Sequence, residues 1–121
     1  MTIQIYKDAE ADTRKQTIDA FLQSLRALQA IDRTFPLQYA VCLAEIARDE
    51  GISPSTLAQR TELGLSTVSR IIAALGAHRP NGHSYQLIYI ATPPGERRRK
   101  QLHLTPAGES VIAQIQRSIY I

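Results

Sequence analysis

The chain has 121 residues, of which 44% are hydrophobic, 21% charged and 6% aromatic, with no Trp. That balance fits one globular domain with an aliphatic core. The single cysteine, Cys42, excludes an internal disulfide and a cysteine-built metal site, and no apolar run approaches the roughly 20 residues that a membrane span needs. Residues 1–62 carry seven basic and nine acidic side chains, and residues 63–121 carry seven basic and two acidic ones. A basic second half suits a polyanionic partner, and it suits a solvated face equally well.

The N-terminus, Met1 to Asp8, has no basic region leading into an apolar stretch and does not read as a signal peptide, so the expected compartment is the reducing cytoplasm. From about Ala9 to Ile31, Ile18, Phe21, Leu22, Leu25, Leu28 and Ile31 recur at gaps of three and four, which predicts a long amphipathic helix. Asp8, Glu10 and Asp12 are placed to favour its start. Phe35-Pro36 breaks the pattern, with Pro36 suited to the first position of a second helix that is apolar on most sides and ends at Gly51. Ser53-Pro54 caps and opens a short third helix that ends near Thr61. Glu62-Leu63-Gly64 then leads tightly into a fourth, about Leu65 to Ala77, whose apolar face is Val68, Ile71, Ile72 and Leu75.

Pro80-Asn81-Gly82 is turn chemistry. Tyr85 to Ala91 is β-rich, and Lys100 to Leu104 alternates polar and apolar, so the two predict a hairpin with an Arg-rich tip. Thr105-Pro106 opens a last helix with Val111, Ile112, Ile115 and Ile119 on its stripe. The expected fold is α+β, mainly α: a winged helix-turn-helix over 36–104 in a single domain, 1–121, flanked by dimerisation helices at 9–32 and 105–121.

In a helix-turn-helix the first helix needs a small residue at the crossing, which Ala58 supplies. The second must present small or hydrogen-bonding side chains to the major groove, and Ser66, Thr67, Ser69 and Arg70 qualify. The same two-helix pattern occurs in many domains that bind no DNA. The tip adds weight: Arg97, Arg98, Arg99 and Lys100 are consecutive cations beside a turn, costly to bury and suited to phosphate or minor-groove contact.

Leu57-Ala58, Thr67-Val68-Ser69-Arg70, and Glu96-Arg97-Arg98 ahead of Leu104-Thr105-Pro106-Ala107-Gly108 resemble the MarR family of winged-helix transcription regulators over about residues 36–115. That family carries an Asp-Arg-Arg wing tip followed at fixed distance by Leu-Thr-Pro-x-Gly. The resemblance implies that the fourth helix is the recognition helix and that Arg98 enters the minor groove, oriented by Glu96 in place of the family's Asp. It further implies a homodimer. Two departures stand out. About seven extra residues lie around 77–85, fit to lengthen the wing's first strand or add a loop. The chain also stops at Ile121, short of the family's longer C-terminal helices. Dimerisation is therefore expected to rest on Phe21, Leu25, Leu28, Ile115, Ile119 and Tyr120.

Other chemistry finds less support. His78, His83 and His103 are irregularly spaced with no Cys or carboxylate cluster, so no metal site or cofactor is expected. His103 reads as a polar surface residue or a phosphate contact. Cys42, in the most apolar helix, reads as an inert core residue. No nucleophile elbow, metalloenzyme spacing or phosphate-cradling loop points to an enzyme. The expected function is sequence-specific binding of double-stranded DNA as a transcriptional regulator, most simply a repressor, with any small-molecule effector left open. The alternatives are a winged-helix module for protein–protein contact, and replication or partition control on a mobile element. A protein-docking surface would call for exposed aromatic or large aliphatic anchors beside the fourth helix, and none is expected there.

Overall fold

A computed structural model describes residues 2–77, 84–96 and 98–120. In chain order the elements are α1 (Thr2–Gln29), α2 (Leu37–Arg48), α3 (Pro54–Thr61), α4 (Leu65–Leu75), β1 (Ile88–Ala91), β2 (Gln101–Leu104) and α5 (Pro106–Ile119). The class is α+β and mainly α, as the residue patterns imply. Among the described residues no helix is long and apolar enough to cross a membrane.

Helix α1 begins at Thr2, well before Ala9, because nothing between the two positions breaks a helix. Its 28 residues extend about 42 Å. Positions 8, 10 and 12 thus lie inside the helix and not at its first turn. The C-terminal part turns Ala27 into the core, with Leu28 and Ile31 packed against it, and α1 lies along α5.

Pro36 precedes α2 as its cap residue, one position earlier than expected, with extended backbone and no side-chain cap bond. The helix closes at Arg48, and the Asp49 N–H reaches back to the carbonyls of Glu45 and Ile46. Gly51 follows two residues beyond that cap, with φ +97°, and its N–H donates to the Leu102 carbonyl at 2.8 Å. Its left-handed backbone therefore steers the chain onto the hairpin, a conformation that suits glycine.

The helix-turn-helix forms as the sequence suggests. Ser53 Oγ accepts the Thr56 N–H at 3.1 Å, and Pro54 takes the first helical position of α3. Glu62 turns the chain with φ +58°, and Gly64 caps α4. Val68, Ile71, Ile72 and Leu75 all face inward, onto a core whose least exposed side chains include Leu43, Ile46, Leu57 and Leu102. Ala58 packs against this core as the small residue between α3 and α4.

The first strand is shorter than Tyr85–Ala91. The N–H groups of Tyr85, Gln86 and Leu87 donate instead to the carbonyls of Ala74, Gly76 and Leu75, at 3.0, 3.0 and 2.8 Å. These residues satisfy the open end of α4, which would otherwise leave its last carbonyls unpaired. Only Ile88–Ala91 pairs, antiparallel, with Ile88 opposite Leu104 and Ala91 opposite Gln101. Of the extra residues around 77–85, Ser84 and Tyr85 do not extend β1, and residues 78–83 lie outside those described. A feature that periodicity does not announce is the bridge from Ile52 to Leu102, where the Leu102 N–H donates to the Ile52 carbonyl at 2.9 Å. It fastens the hairpin to the connection between α2 and α3.

Two further ties hold the lobes together. Tyr85 Oη donates to Asp32 Oδ2 at 2.6 Å, and its ring lies 5.0 Å from Phe35 and 6.2 Å from Tyr39. Thr105 caps α5 by accepting the Gly108 N–H at 3.1 Å, while its own hydroxyl donates to the Gln86 carbonyl at 2.7 Å.

Candidate nucleic-acid interface

Helix α4 shows its polar side to solvent. Ser66, Ser69 and Arg70 are exposed together on one face, as their spacing of three and four requires. Thr67 is half-buried on the flank, turned away from Ser69. Of the four residues that the sequence singles out on this helix, three share an open surface and one borders the core.

The wing tip is a compact turn. Gly95 has φ +82°, the Glu96 N–H donates to the Pro93 carbonyl, and the Arg99 N–H donates to the Glu96 carbonyl at 3.0 Å. That last bond brings the two side chains together, and Arg99 pairs with Glu96 at 3.3 Å. The pairing differs from the expected one, in which Glu96 holds Arg98. Arg98, Arg99 and Lys100 are all exposed; Arg97 lies outside the described residues.

Two cations of α2 and α3 are answered within the fold: Arg48 meets Glu45 at 2.7 Å and Arg60 meets Asp49 at 3.0 Å. Among the described residues, Arg70, Arg98 and Lys100 have no acid within 4.0 Å. Arg98 and Lys100, close together on the wing, repel, and an external polyanion relieves that repulsion.

Between α4 and the wing lies a groove of about 1430 Å³. Ile72, Ile88 and Tyr89 line its floor, and Ser69, Arg98 and Lys100 are on its polar border. Here the structure corrects one expectation. Large apolar side chains do stand open beside the recognition surface: Leu65 is 54% exposed, Tyr89 50% and Ile90 47%. Leu65 escapes notice in the sequence because its distances of three and seven from Val68 and Ile72 are those of core positions. At the first turn of α4 its side chain joins neither the core nor the residues packed on it. His103 also differs from an open surface residue. Its ring stacks on Tyr89 at 5.5 Å, and its Nδ1 lies 3.9 Å from Glu50 Oε1, which itself accepts the Leu104 N–H at 2.8 Å. It braces the base of the wing.

The remaining candidates are quickly placed. Cys42 is fully buried; burial first, and the nearby Glu45 second, push its thiol up, which disfavours the reactive thiolate. His78 and His83 lie outside the described residues, and among the described ones no group of His, Cys, Asp and Glu is fit to hold a metal. Of the residues assigned to dimerisation, Phe21 (59%) and Tyr120 (81%) are strongly exposed, and Leu25 and Ile119 are open as well. Ile115 is half-buried, and Leu28 packs against the chain's own core. Ile18 and Leu22 on α1, with Leu37 and Val41 on α2, are further exposed apolar side chains.

Comparison with known proteins fits this geometry. No protein-family model matches the chain. A candidate transcriptional regulatory protein for the hcr operon of Thauera aromatica is 30% identical over 106 residues, 88% of this chain. The chain spans 59% of the length of that curated relative. Among solved structures, a MarR-like transcriptional regulator from Thermotoga maritima superposes with a TM-score of 0.66 at 14% identity, over 99% of this chain and 76% of that one. The MepR–DNA complex of S. aureus superposes with a TM-score of 0.64 at 15% identity, over 97% of this chain and 83% of that one. The chain has the winged-helix fold of the MarR-type regulators.

Proposed function

We propose that this chain is a MarR-type transcription regulator that binds double-stranded DNA in a sequence-specific manner, acting in the cytoplasm as a homodimeric repressor. The observation that carries the reading is the groove between α4 and the wing, bordered by Ser69, Arg98 and Lys100, with Arg70 exposed next to Ser69 on α4. Ser66, Ser69 and Arg70 are assigned to the major groove, with Thr67 at the margin. Arg97, Arg98, Arg99 and Lys100 are assigned to backbone and minor groove, with Glu96 as their internal partner. In this reading 36–104 is the DNA-binding unit, and 9–32 and 105–121 are the dimerisation arms of a single domain. The exposed apolar side chains Phe21, Leu25, Ile119 and Tyr120 support a two-fold dimer. Such a dimer would put two recognition helices in successive major grooves, so the operator should be a near-palindrome.

The test is duplex binding by fluorescence anisotropy over a salt series, with random duplex and with the DNA upstream of the protein's own gene. Binding should weaken steeply with salt and be tighter for the upstream DNA. Absence of binding to either at low salt, by protein shown to be folded, would discard the reading. Arg70→Ala should cost about 1–3 kcal/mol on the preferred duplex and relax its base preference. An equal loss on every duplex would make Arg70 a phosphate contact instead.

A second reading, a winged helix that docks on another protein, draws on Leu65, Tyr89 and Ile90, which are the kind of side chains that anchor protein interfaces. The free cations around them favour DNA. Pull-down of a protein partner by a variant that lacks duplex binding would favour the second reading.

A further inference from the structure

Leu65 is the first residue of α4, directly after the cap Gly64. It belongs neither to the buried core nor to the half-buried side chains packed on it. It lines the groove between α4 and the wing together with Ser69, Tyr89, Arg98, Arg99 and Lys100. A lone exposed leucine is ordinary on a protein surface. This one is unusual in its neighbours, because the cations beside it mark the groove for a polyanion.

Duplex DNA presents one apolar group at its major-groove base edges, the 5-methyl group of thymine. The N-terminal residues of a recognition helix are those that approach base edges. We propose that Leu65 determines specificity by covering a thymine methyl group, a contact that rests on the DNA-binding reading above. Ser69 stands one turn further along the same side of α4, about 6 Å away along the axis. The thymine therefore lies within about two base pairs of the base that Ser69 meets. The contact has no polar component, so it discriminates thymine from uracil by one methyl group alone.

The experiment uses the full chain and a duplex selected from a random library by repeated binding to wild-type protein. Each thymine is replaced in turn by deoxyuridine, which removes only the methyl group, and Kd is measured for wild type, Leu65→Ala and Leu65→Met. One thymine per half-site should be sensitive: its replacement should weaken wild-type binding about fourfold, the worth of one buried methyl group. Leu65→Ala should lose that sensitivity at that position and keep the deoxyuridine responses elsewhere, and Leu65→Met, which stays long and apolar, should retain it. A wild-type protein indifferent to every deoxyuridine, or a Leu65→Ala profile identical to wild type, overturns the assignment of Leu65 and leaves DNA binding intact. Failure of the library to yield any bound duplex overturns the DNA-binding reading and this inference together.

Discussion

Gly108→Ala is expected to lower the stability of the fold by about 3 kcal/mol or more, although alanine normally improves a helix over glycine by about 1 kcal/mol. Gly108 sits in the first turn of α5, and a β-carbon there would lie 2.1 Å from the Leu87 carbonyl oxygen and 3.1 Å from its carbon. Both obstacles are backbone. Leu87 cannot withdraw cheaply, since its carbonyl accepts the Thr105 N–H at 3.0 Å and its own N–H is bound to Leu75. Relief therefore requires α5 to lift off the sheet, which would break the Thr105 cap and loosen the junction that carries the wing. Urea unfolding of Gly108→Ala should show a much lower midpoint. Gly64→Ala is the control: nothing lies within 4 Å of a β-carbon there, and its cost should stay below about 1 kcal/mol, the difference between glycine and alanine as a cap. A Gly108→Ala midpoint equal to wild type would mean that α5 is free to move away from Leu87.

Removing the wing charges should have the largest effect on binding. Arg98→Ala is expected to weaken binding to most duplexes alike, and the triple replacement of Arg98, Arg99 and Lys100 by alanine should do so on the order of 100-fold near 0.1 M salt. Each lost phosphate contact lowers the steepness of log K against log salt by about 0.9, so the triple variant should lose about 2.7 from that slope. The fold should not suffer. All three side chains are exposed, and the single ion pair lost, Arg99 with Glu96, is a solvent-facing pair of the kind that contributes little. Unchanged circular dichroism with a reduced slope would place the wing on the phosphate backbone. A triple variant that binds as tightly as wild type with the same slope would remove the wing from the interface.

The helical part of the fold was legible from local rules. Ser53-Pro54 and Thr105-Pro106 mark α3 and α5 because an oxygen side chain followed by proline satisfies a helix start wherever it occurs, and both caps form. Val68, Ile71, Ile72 and Leu75 could be read as buried because a spacing of three and four puts them on one side of any helix. The run Arg97 to Lys100 reads as a surface segment because four adjacent cations are costly to bury, and Arg98, Arg99 and Lys100 are exposed.

What escaped the sequence depended mostly on partners distant along the chain, and in one case on the exact shape of a turn. Tyr85 to Leu87 have strand composition, yet they close the end of α4, because the carbonyls of Ala74, Leu75 and Gly76 are nearer than any strand. Glu96 lies beside Arg97 and Arg98 in sequence, and the turn at Gly95 hands it to Arg99. Leu28 carries the same periodicity as Phe21 and Leu25, and only the docking of α1 decides that Leu28 meets the chain's own core while the other two stay open. Leu65 has the spacing of a core position and is nonetheless 54% exposed, lining the groove between α4 and the wing. Amino-acid order by itself determined where helices begin, which faces are apolar and where charge gathers, for these follow from neighbours within about a turn. Tertiary structure alone decided which apolar faces find a cover, because burial is a property of surfaces brought together from far apart.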